Sequence, residues 1–284
     1  MKYTKIIIST VIATTLANAN TDISITAGVK DYTNSKTKTD GTTYNVGVGH
    51  NYNSSKVSFN YSKDSVDRVQ PNTTSATTPL DVKKYNLNYK YTLDKALSLK
   101  ASYIKILDNL APTDQGKVYG LGANYKLNKG FVAGVSAYKS DYKQFNVNQY
   151  DLYVSKGFKI ADRKVKLSAV MKSINIDGDK YSTYTSKDKS YFTTAIKLNA
   201  MCKNNFVLGL GMFTGDRMFA VLNDGEKVQH HAMEFNKTYM ASFGKKFKNF
   251  DIIAKYANSK GDELPENRKD VTTKVTSLMF KYRF

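Results

Sequence analysis

The sequence predicts an all-β protein, a single closed antiparallel transmembrane β-barrel of about fourteen strands, with a range of about 12 to 16. Three observations predict this fold. Apolar and polar residues alternate from one end of the chain to the other. Short and long connections follow one another between the alternating segments. The last segment, SLMFKYRF at 277–284, keeps the alternation up to a terminal phenylalanine.

The first residues have the pattern of a secretory signal peptide. Lys2 and Lys5 give a positive start, residues 6–16 are largely apolar, and residues 17–19 read Ala-Asn-Ala, as a signal peptidase requires. A membrane-anchoring helix is the alternative, but it needs about 20 apolar residues, and this run is shorter and interrupted by Ser and Thr. We therefore expect a signal peptide over residues 1–19 and one barrel domain over residues 20–284.

The alternating segments are the predicted strands. Each reaches the length of about 9–11 residues that a tilted membrane strand needs once its ends are included. An even number of strands brings both termini to the same side, as in bacterial barrels. The fourteen segments are 23–29, 44–48, 57–61, 85–91, 97–103, 119–127, 131–137, 150–154, 165–171, 192–198, 206–212, 239–243, 250–256 and 278–284.

The connections between these segments alternate in length. Residues 53–55, 93–95 and 128–130 form short turns. Longer polar loops are predicted at 33–41, 67–80, 107–117, 140–147, 176–188, 216–235 and 260–270. Short turns on one rim and long loops on the other are typical of outer-membrane barrels.

A soluble β-sandwich is the alternative fold, because its strands alternate as well. In a sandwich the outer face is polar and the inner face is a packed core. Here the second face carries Lys, Asn, Ser, Thr and Gly in nearly every segment. We therefore expect no second apolar layer, and we expect the apolar face to contact lipid.

The C-terminal segment resembles that of Gram-negative outer-membrane barrels. The resemblance rests on Leu278, Phe280, Tyr282 and the terminal Phe284. It implies insertion by the barrel assembly machinery, an outer-membrane location, and closure of the last strand on the first. One difference is that residues 274–277 read KVTS and lack the glycine often found earlier in that signal. In size the chain resembles the monomeric fourteen-stranded porins, although no residue motif links it to them.

The chain is strongly basic, with 43 Lys and Arg against 24 Asp and Glu. The export signal argues against a nucleic-acid partner, so the charge points to anionic solutes, or to membrane lipid and lipopolysaccharide. Asp151 and Asp251 are the chief acids expected to face the lumen. The predicted pore-lining cations are Lys30, Lys84, Lys90, Lys100, Lys126, Lys164, Lys166, Lys172, Lys197, Lys255, Lys281 and Arg283. This bias predicts a preference for anions; the alternative is that these lysines only keep an aqueous wall soluble.

The longest loop, 216–235, could fold inward as a constriction, but it could not form a plug domain. It contains His230 and His231, a possible loop gate, because protonation near pH 6 would add positive charge there. Adjacent histidines are poorly spaced to share a metal ion, and we expect no metal and no cofactor.

The sequence thus predicts a porin-like channel for passive diffusion of small hydrophilic solutes, anionic or neutral. The alternative is a non-conducting structural or adhesive barrel whose long loops bind a partner. An enzyme is not expected, since the three histidines have no matching nucleophile or carboxylate pattern.

Overall fold

The computed structural model describes residues 20–71, 74–109, 112–161, 163–178, 190–229, 233–264 and 268–284. Within these residues, fourteen antiparallel strands close into one barrel. The barrel strands are β1 (Thr21–Thr33), β2 (Lys38–Tyr52), β3 (Ser55–Val69), β4 (Ala76–Thr92), β5 (Leu97–Asp108), β6 (Lys117–Lys126), β7 (Phe131–Asp141), β8 (Asn146–Ile160), β9 (Arg163–Asp177), β10 (Ser190–Met201), β11 (Phe206–Arg217), β14 (Met233–Lys246), β15 (Phe250–Glu263) and β16 (Arg268–Arg283). The predicted fold class is confirmed, and each predicted segment coincides with a barrel strand. The predicted signal peptide lies outside the described residues.

Closure joins the last strand to the first. β16 pairs with β1 along its length, with Phe280 opposite Ile25 and Leu278 opposite Ala27. The backbone N–H of Phe284 donates to the carbonyl oxygen of Thr21 at 3.0 Å. Because every strand therefore has two partners, the sheet leaves no open edge, which is the condition for a sheet to sit in lipid.

The short turns lie on one rim, and several of them contain a residue with positive φ. Asn53 (φ 49°), Lys129 (φ 58°) and Asn204 (φ 57°) occupy three of them. Asparagine adopts this left-handed conformation more readily than most residues. In another turn, the backbone N–H groups of Leu97 and Ala96 donate to the Asp94 carboxylate and hold its pKa below the ordinary range. These turns fix the register of each hairpin.

The outer face of the barrel is apolar and exposed. Leu121 is 70% exposed, Val135 58% and Leu278 56%, although all lie in the middle of well-paired strands. Outward aromatic side chains flank this aliphatic belt toward both rims. Near the short turns they include Tyr52, Tyr91, Tyr125, Phe158, Phe247 and Phe284, and toward the long loops Tyr61, Tyr85, Tyr103, Tyr119, Tyr150 and Tyr239. An apolar band between two aromatic girdles is typical of a barrel surrounded by lipid.

In the described part of the chain, no helix is long and apolar enough to cross a membrane. The helical elements described are single 3₁₀ turns at Asn128–Gly130, Lys203–Asn205 and Asn223–Gly225.

Candidate functional site in the barrel lumen

The segment between β11 and β14 folds into the lumen. Residues 218–229, here called the lumen hairpin, contain two short strands, β12 (Val221–Leu222) and β13 (Lys227–Val228), joined by the 3₁₀ turn Asn223–Gly225. Met218 and Phe219 at its start are 0% and 1% exposed. The hairpin therefore lies inside the barrel instead of extending from the rim.

The lumen hairpin is packed in an apolar cluster in the half of the barrel nearest the long loops. The cluster draws side chains from the inner faces of strands around most of the barrel. Its wall members include Tyr32, Val66, Leu80, Val82, Ile104, Ile106, Val118, Val147, Ile174, Ile176 and Val271, all buried. The expectation of no second apolar layer is thus wrong for this half. There the inner face is also apolar, because it must cover the buried hairpin.

Polar side chains of the wall bind the hairpin backbone at defined points. Gln149 on β8 makes two hydrogen bonds with Val221: its Nε2 donates to the carbonyl oxygen and its Oε1 accepts from the N–H, both at 2.8 Å. Lys172 Nζ on β9 donates to the same carbonyl at 3.0 Å. Asn86 Nδ2 on β4 donates to the carbonyl of Gly225 at 2.7 Å. The hairpin is therefore held from several sides in one position.

Arg217 ends β11 and lies at the root of the hairpin. Its guanidinium carbon is 4.7 Å from the centre of the Phe213 ring and 5.4 Å from that of Phe235. The side chain is 1% exposed and donates to Thr238. A cation between two aromatic faces is a stabilising arrangement, so this arginine fixes the direction in which the chain enters the lumen.

On the short-turn side of the hairpin the lumen opens into a cavity of about 500 Å³, here called the vestibule. Its charged lining consists of six lysines and two aspartates, Asp151 and Asp224. The lysines are Lys90, Lys95, Lys126, Lys166, Lys172 and Lys197. The vestibule thus carries a surplus of positive charge.

The twelve cations predicted to line a pore all lie on the inward-facing phase of their strands. Six form ion pairs: Lys30 and Lys84 with Asp64, Lys100 with Asp224, Lys172 with Asp151, Lys281 with Asp22 and Arg283 with Asp251. For the other six, Lys90, Lys126, Lys164, Lys166, Lys197 and Lys255, no salt bridge is formed within the described residues. Lys197 donates to the Asn223 side chain of the hairpin at 2.9 Å.

The lumen contains more acids than the sequence predicted. Asp22 and Asp64 face inward on β1 and β3, where they pair with Lys281 and Lys30. Asp224 enters the lumen on the hairpin and was not recognisable from strand alternation. These acids neutralise part of the positive charge of the wall, whereas the vestibule keeps six lysines against two aspartates.

The remaining predicted residues lie elsewhere. Leu278, Phe280 and Phe284 are exposed on the outer face of the barrel, and Tyr282 packs edge-on against Phe284, with ring centres 4.8 Å apart. His230 and His231 fall outside the described residues. No group of three or more His, Cys, Asp or Glu side chains in the described chain is arranged to hold a metal ion.

No protein-family model matches the sequence, and no curated protein matches it. Several solved structures have a similar fold. The CymD monoaromatic hydrocarbon channel aligns over 95% of this chain and 90% of its own, with a TM-score of 0.60 and 10% identity. The Ralstonia pickettii toluene transporter TbuX aligns over 95% and 90%, with a TM-score of 0.58 and 9% identity. Acinetobacter baumannii Omp33 aligns over 94% and 99%, with a TM-score of 0.53 and 10% identity.

At such low identities the likeness concerns the fold alone. The chain has the fold of the β-barrels of the Gram-negative outer membrane, which confirms the predicted fold class and agrees with the predicted outer-membrane location.

Proposed function

We propose that this barrel is an outer-membrane channel for small hydrophilic solutes, that it prefers anions, and that the lumen hairpin constricts it. The observation that carries the proposal is the vestibule, where six lysines and two aspartates line one cavity of about 500 Å³. The named structures with a similar fold include a channel and a transporter, which supports transport in preference to catalysis.

The preference for anions follows from charge and dielectric. A cavity lined by one sign of charge, inside a wall that faces lipid, concentrates counter-ions. Rings of Lys and Arg select anions in pores. A lysine-lined cavity favours water and charged or hydroxylated solutes over hydrocarbons, so the substrates named for CymD and TbuX are not proposed for this chain.

Conduction through the barrel depends on movement of the lumen hairpin. Its apolar residues fill the half of the lumen nearest the long loops, and Met218, Phe219, Ala220 and Val221 are at most 1% exposed. Solute passage therefore requires the hairpin to move at least partly. We expect low basal conductance with brief openings.

A non-conducting barrel is the second candidate, and the same apolar filling favours it. In that case the hairpin is a permanent part of the core. Residues 218–229 lie inside the barrel, so they are not presented on its outer surface as a ligand-binding site in this structure. An adhesive role would thus rest on the other long loops.

Planar-bilayer recording tests the proposal. With a KCl gradient across the membrane, the current through the open channel should reverse at a potential whose sign shows that chloride is more permeant than potassium. Replacing Lys126, Lys166 and Lys197 with Gln should move the reversal potential toward cation preference, because these ammonium groups line the vestibule.

The matched control replaces Lys129, Lys203 and Lys248 with Gln. These lysines lie in the turns, so the same loss of charge is largely screened from the lumen by salt, over a Debye length of about 10 Å at 0.1 M. Equal shifts in the two triple variants, or a wild-type barrel that never conducts, would refute the proposed function.

A further inference from the structure

Three lysines stand side by side on the inner wall next to the tip of the lumen hairpin. Lys56 on β3 is directly opposite Lys90 on β4, and Lys90 is directly opposite Lys100 on β5. Residues opposite each other in an antiparallel pair have Cβ atoms about 4.5–5.5 Å apart, and like charges there repel. This lysine row is therefore unfavourable unless an anion lies against it.

The hairpin supplies the anions. The Asp224 carboxylate forms an ion pair with Lys100. Asp224 and Glu226 line one pocket of about 160 Å³ together with all three lysines of the row. This pocket shares Lys90, Ser136 and Asp224 with the vestibule, so a solute in the vestibule reaches the row directly.

The backbone of the hairpin places these carboxylates closely against the wall. Gly225, between them, has φ +90°, and a Cβ at this position would lie 2.6 Å from Ser102 Oγ on β5. Asn86 fixes the Gly225 carbonyl from β4. The tip thus presents two carboxylates, two residues apart, to a fixed row of three ammonium groups.

We propose that the lysine row is a binding site for small dicarboxylates, and that the acidic tip of the hairpin occupies this site in place of the solute. The inference rests on the proposed channel function, whose solute class it names. A dicarboxylate that enters the vestibule competes with Asp224 and Glu226 for Lys56, Lys90 and Lys100. Binding of the solute releases the tip, and with it the contact that closes the lumen on the β3–β5 side.

Lysine is the suitable residue for such an exchange. An ammonium group is a compact point charge with rotatable donors, whereas arginine holds a carboxylate in a fixed bidentate geometry. A row of lysines can therefore pass from an internal carboxylate to a solute carboxylate without rearrangement of the wall.

Succinate binding to the detergent-solubilised full-length barrel, measured by titration calorimetry, tests the proposal. The apparent affinity of a site is its intrinsic affinity multiplied by the fraction of molecules in which the site is free. The double variant Asp224→Asn/Glu226→Gln should therefore bind succinate at least about tenfold more tightly than wild type, because amides do not compete for the lysines. Acetate, with one carboxylate, should bind more weakly than succinate to both.

Three further double variants complete the test. Asp31→Asn/Asp114→Asn removes the same charge near the long-loop rim and should bind succinate as wild type does. Lys56→Gln/Lys90→Gln should abolish binding, whereas Lys129→Gln/Lys248→Gln should not. Hydrogen exchange gives a second readout: succinate should speed exchange of the backbone amides of residues 221–228 in wild type.

Equal succinate affinity in wild type and in Asp224→Asn/Glu226→Gln overturns the proposal, and so does retained binding in Lys56→Gln/Lys90→Gln. Failure of the channel function is distinguishable, because calorimetry requires no current. A barrel that binds succinate as described but never conducts loses only the channel function. A barrel that passes anions while the tip variant binds like wild type loses only the dicarboxylate site.

Discussion

Gln149 is the wall residue that binds both backbone groups of Val221, so its removal should weaken the docking of the lumen hairpin. It is 1% exposed, and it both donates to and accepts from Val221, at 2.8 Å in each case. Replacement by leucine keeps the volume but removes both hydrogen bonds to Val221, together with the hydrogen bond that Gln149 Nε2 donates to Asp151 Oδ1 at 2.8 Å. The Val221 carbonyl keeps Lys172 as a donor, whereas its N–H is left without the Gln149 acceptor.

The size of the effect follows from these contacts. A hydrogen bond contributes about 1 kcal/mol net, and a buried donor left without a partner costs about 1–3 kcal/mol. Gln149→Leu should therefore weaken docking of the hairpin by about 2–4 kcal/mol. Since 1.4 kcal/mol is a factor of ten, the equilibrium between docked and released hairpin shifts about 30-fold or more.

Single-channel recording in planar bilayers measures this shift as the fraction of time spent in the conducting state, which should rise at least about tenfold. Gln144→Leu, a substitution of the same kind in the 142–145 loop, is the control and should leave the open fraction near that of wild type. An unchanged open fraction in Gln149→Leu, with unchanged exchange of the hairpin amides, would show that the hairpin is not a movable constriction.

Three further substitutions test other parts of the structure. Gly225→Ala places a Cβ 2.6 Å from Ser102 Oγ at φ +90°, so it should undock the hairpin tip and raise the fraction of time spent in the conducting state. Ser102→Gly, added to Gly225→Ala, should partly restore the wild-type fraction. A Gly225→Ala barrel that stays closed would contradict docking of the tip. Leu121→Lys, at an outward site that is 70% exposed, should lower the free energy of unfolding by urea in vesicles by about 2–4 kcal/mol. Leu93→Lys, in a turn, should lower it by only about 0–1 kcal/mol. Equal losses in the two variants would argue against a lipid-facing belt. Phe284→Ala should reduce the amount of barrel assembled in cells several-fold, in contrast to Phe158→Ala at the same rim, and equal yields would refute a role in assembly.

The strands were predictable from the sequence because lipid requires one uninterrupted apolar face. Alternation such as Leu97, Leu99, Ala101 and Tyr103 in β5 gives that face directly. Closure of β16 on β1 followed from the even number of segments and the C-terminal pattern. Both are local signals that repeat along the chain.

The apolar half of the lumen was missed because the pattern on the inner face changes along each strand. In β5 the inward positions run from Lys100 and Ser102 to Ile104 and Ile106, and β9 changes in the same way after Lys172. This change is visible in the sequence. The one outward apolar stripe of each strand, on which the fold prediction rests, does not report it.

The contact between the lysine row and the acidic tip of the lumen hairpin could not be predicted from the sequence. Asn86 and Gly225 are 139 positions apart, and Lys100 and Asp224 are 124 apart. No periodicity links them, since the hairpin is irregular and its position depends on the shape of the lumen. The six-to-two charge balance of the vestibule likewise depends on which acids the hairpin brings inside.

Cysteine accessibility at two neighbouring positions tests the central claim most directly, namely that the lysine face surrounds a conducting lumen. In a Cys202→Ser, Gln149→Leu background, Lys166→Cys and Leu167→Cys are treated with a negatively charged methanethiosulfonate reagent during bilayer recording. Residue 166 lines the vestibule and Leu167 is 45% exposed on the outer face, so modification at 166 should reduce the anion current and treatment of the 167 variant should leave it unchanged. A current that falls only at 167, or at neither position despite complete modification of 166, would contradict the account.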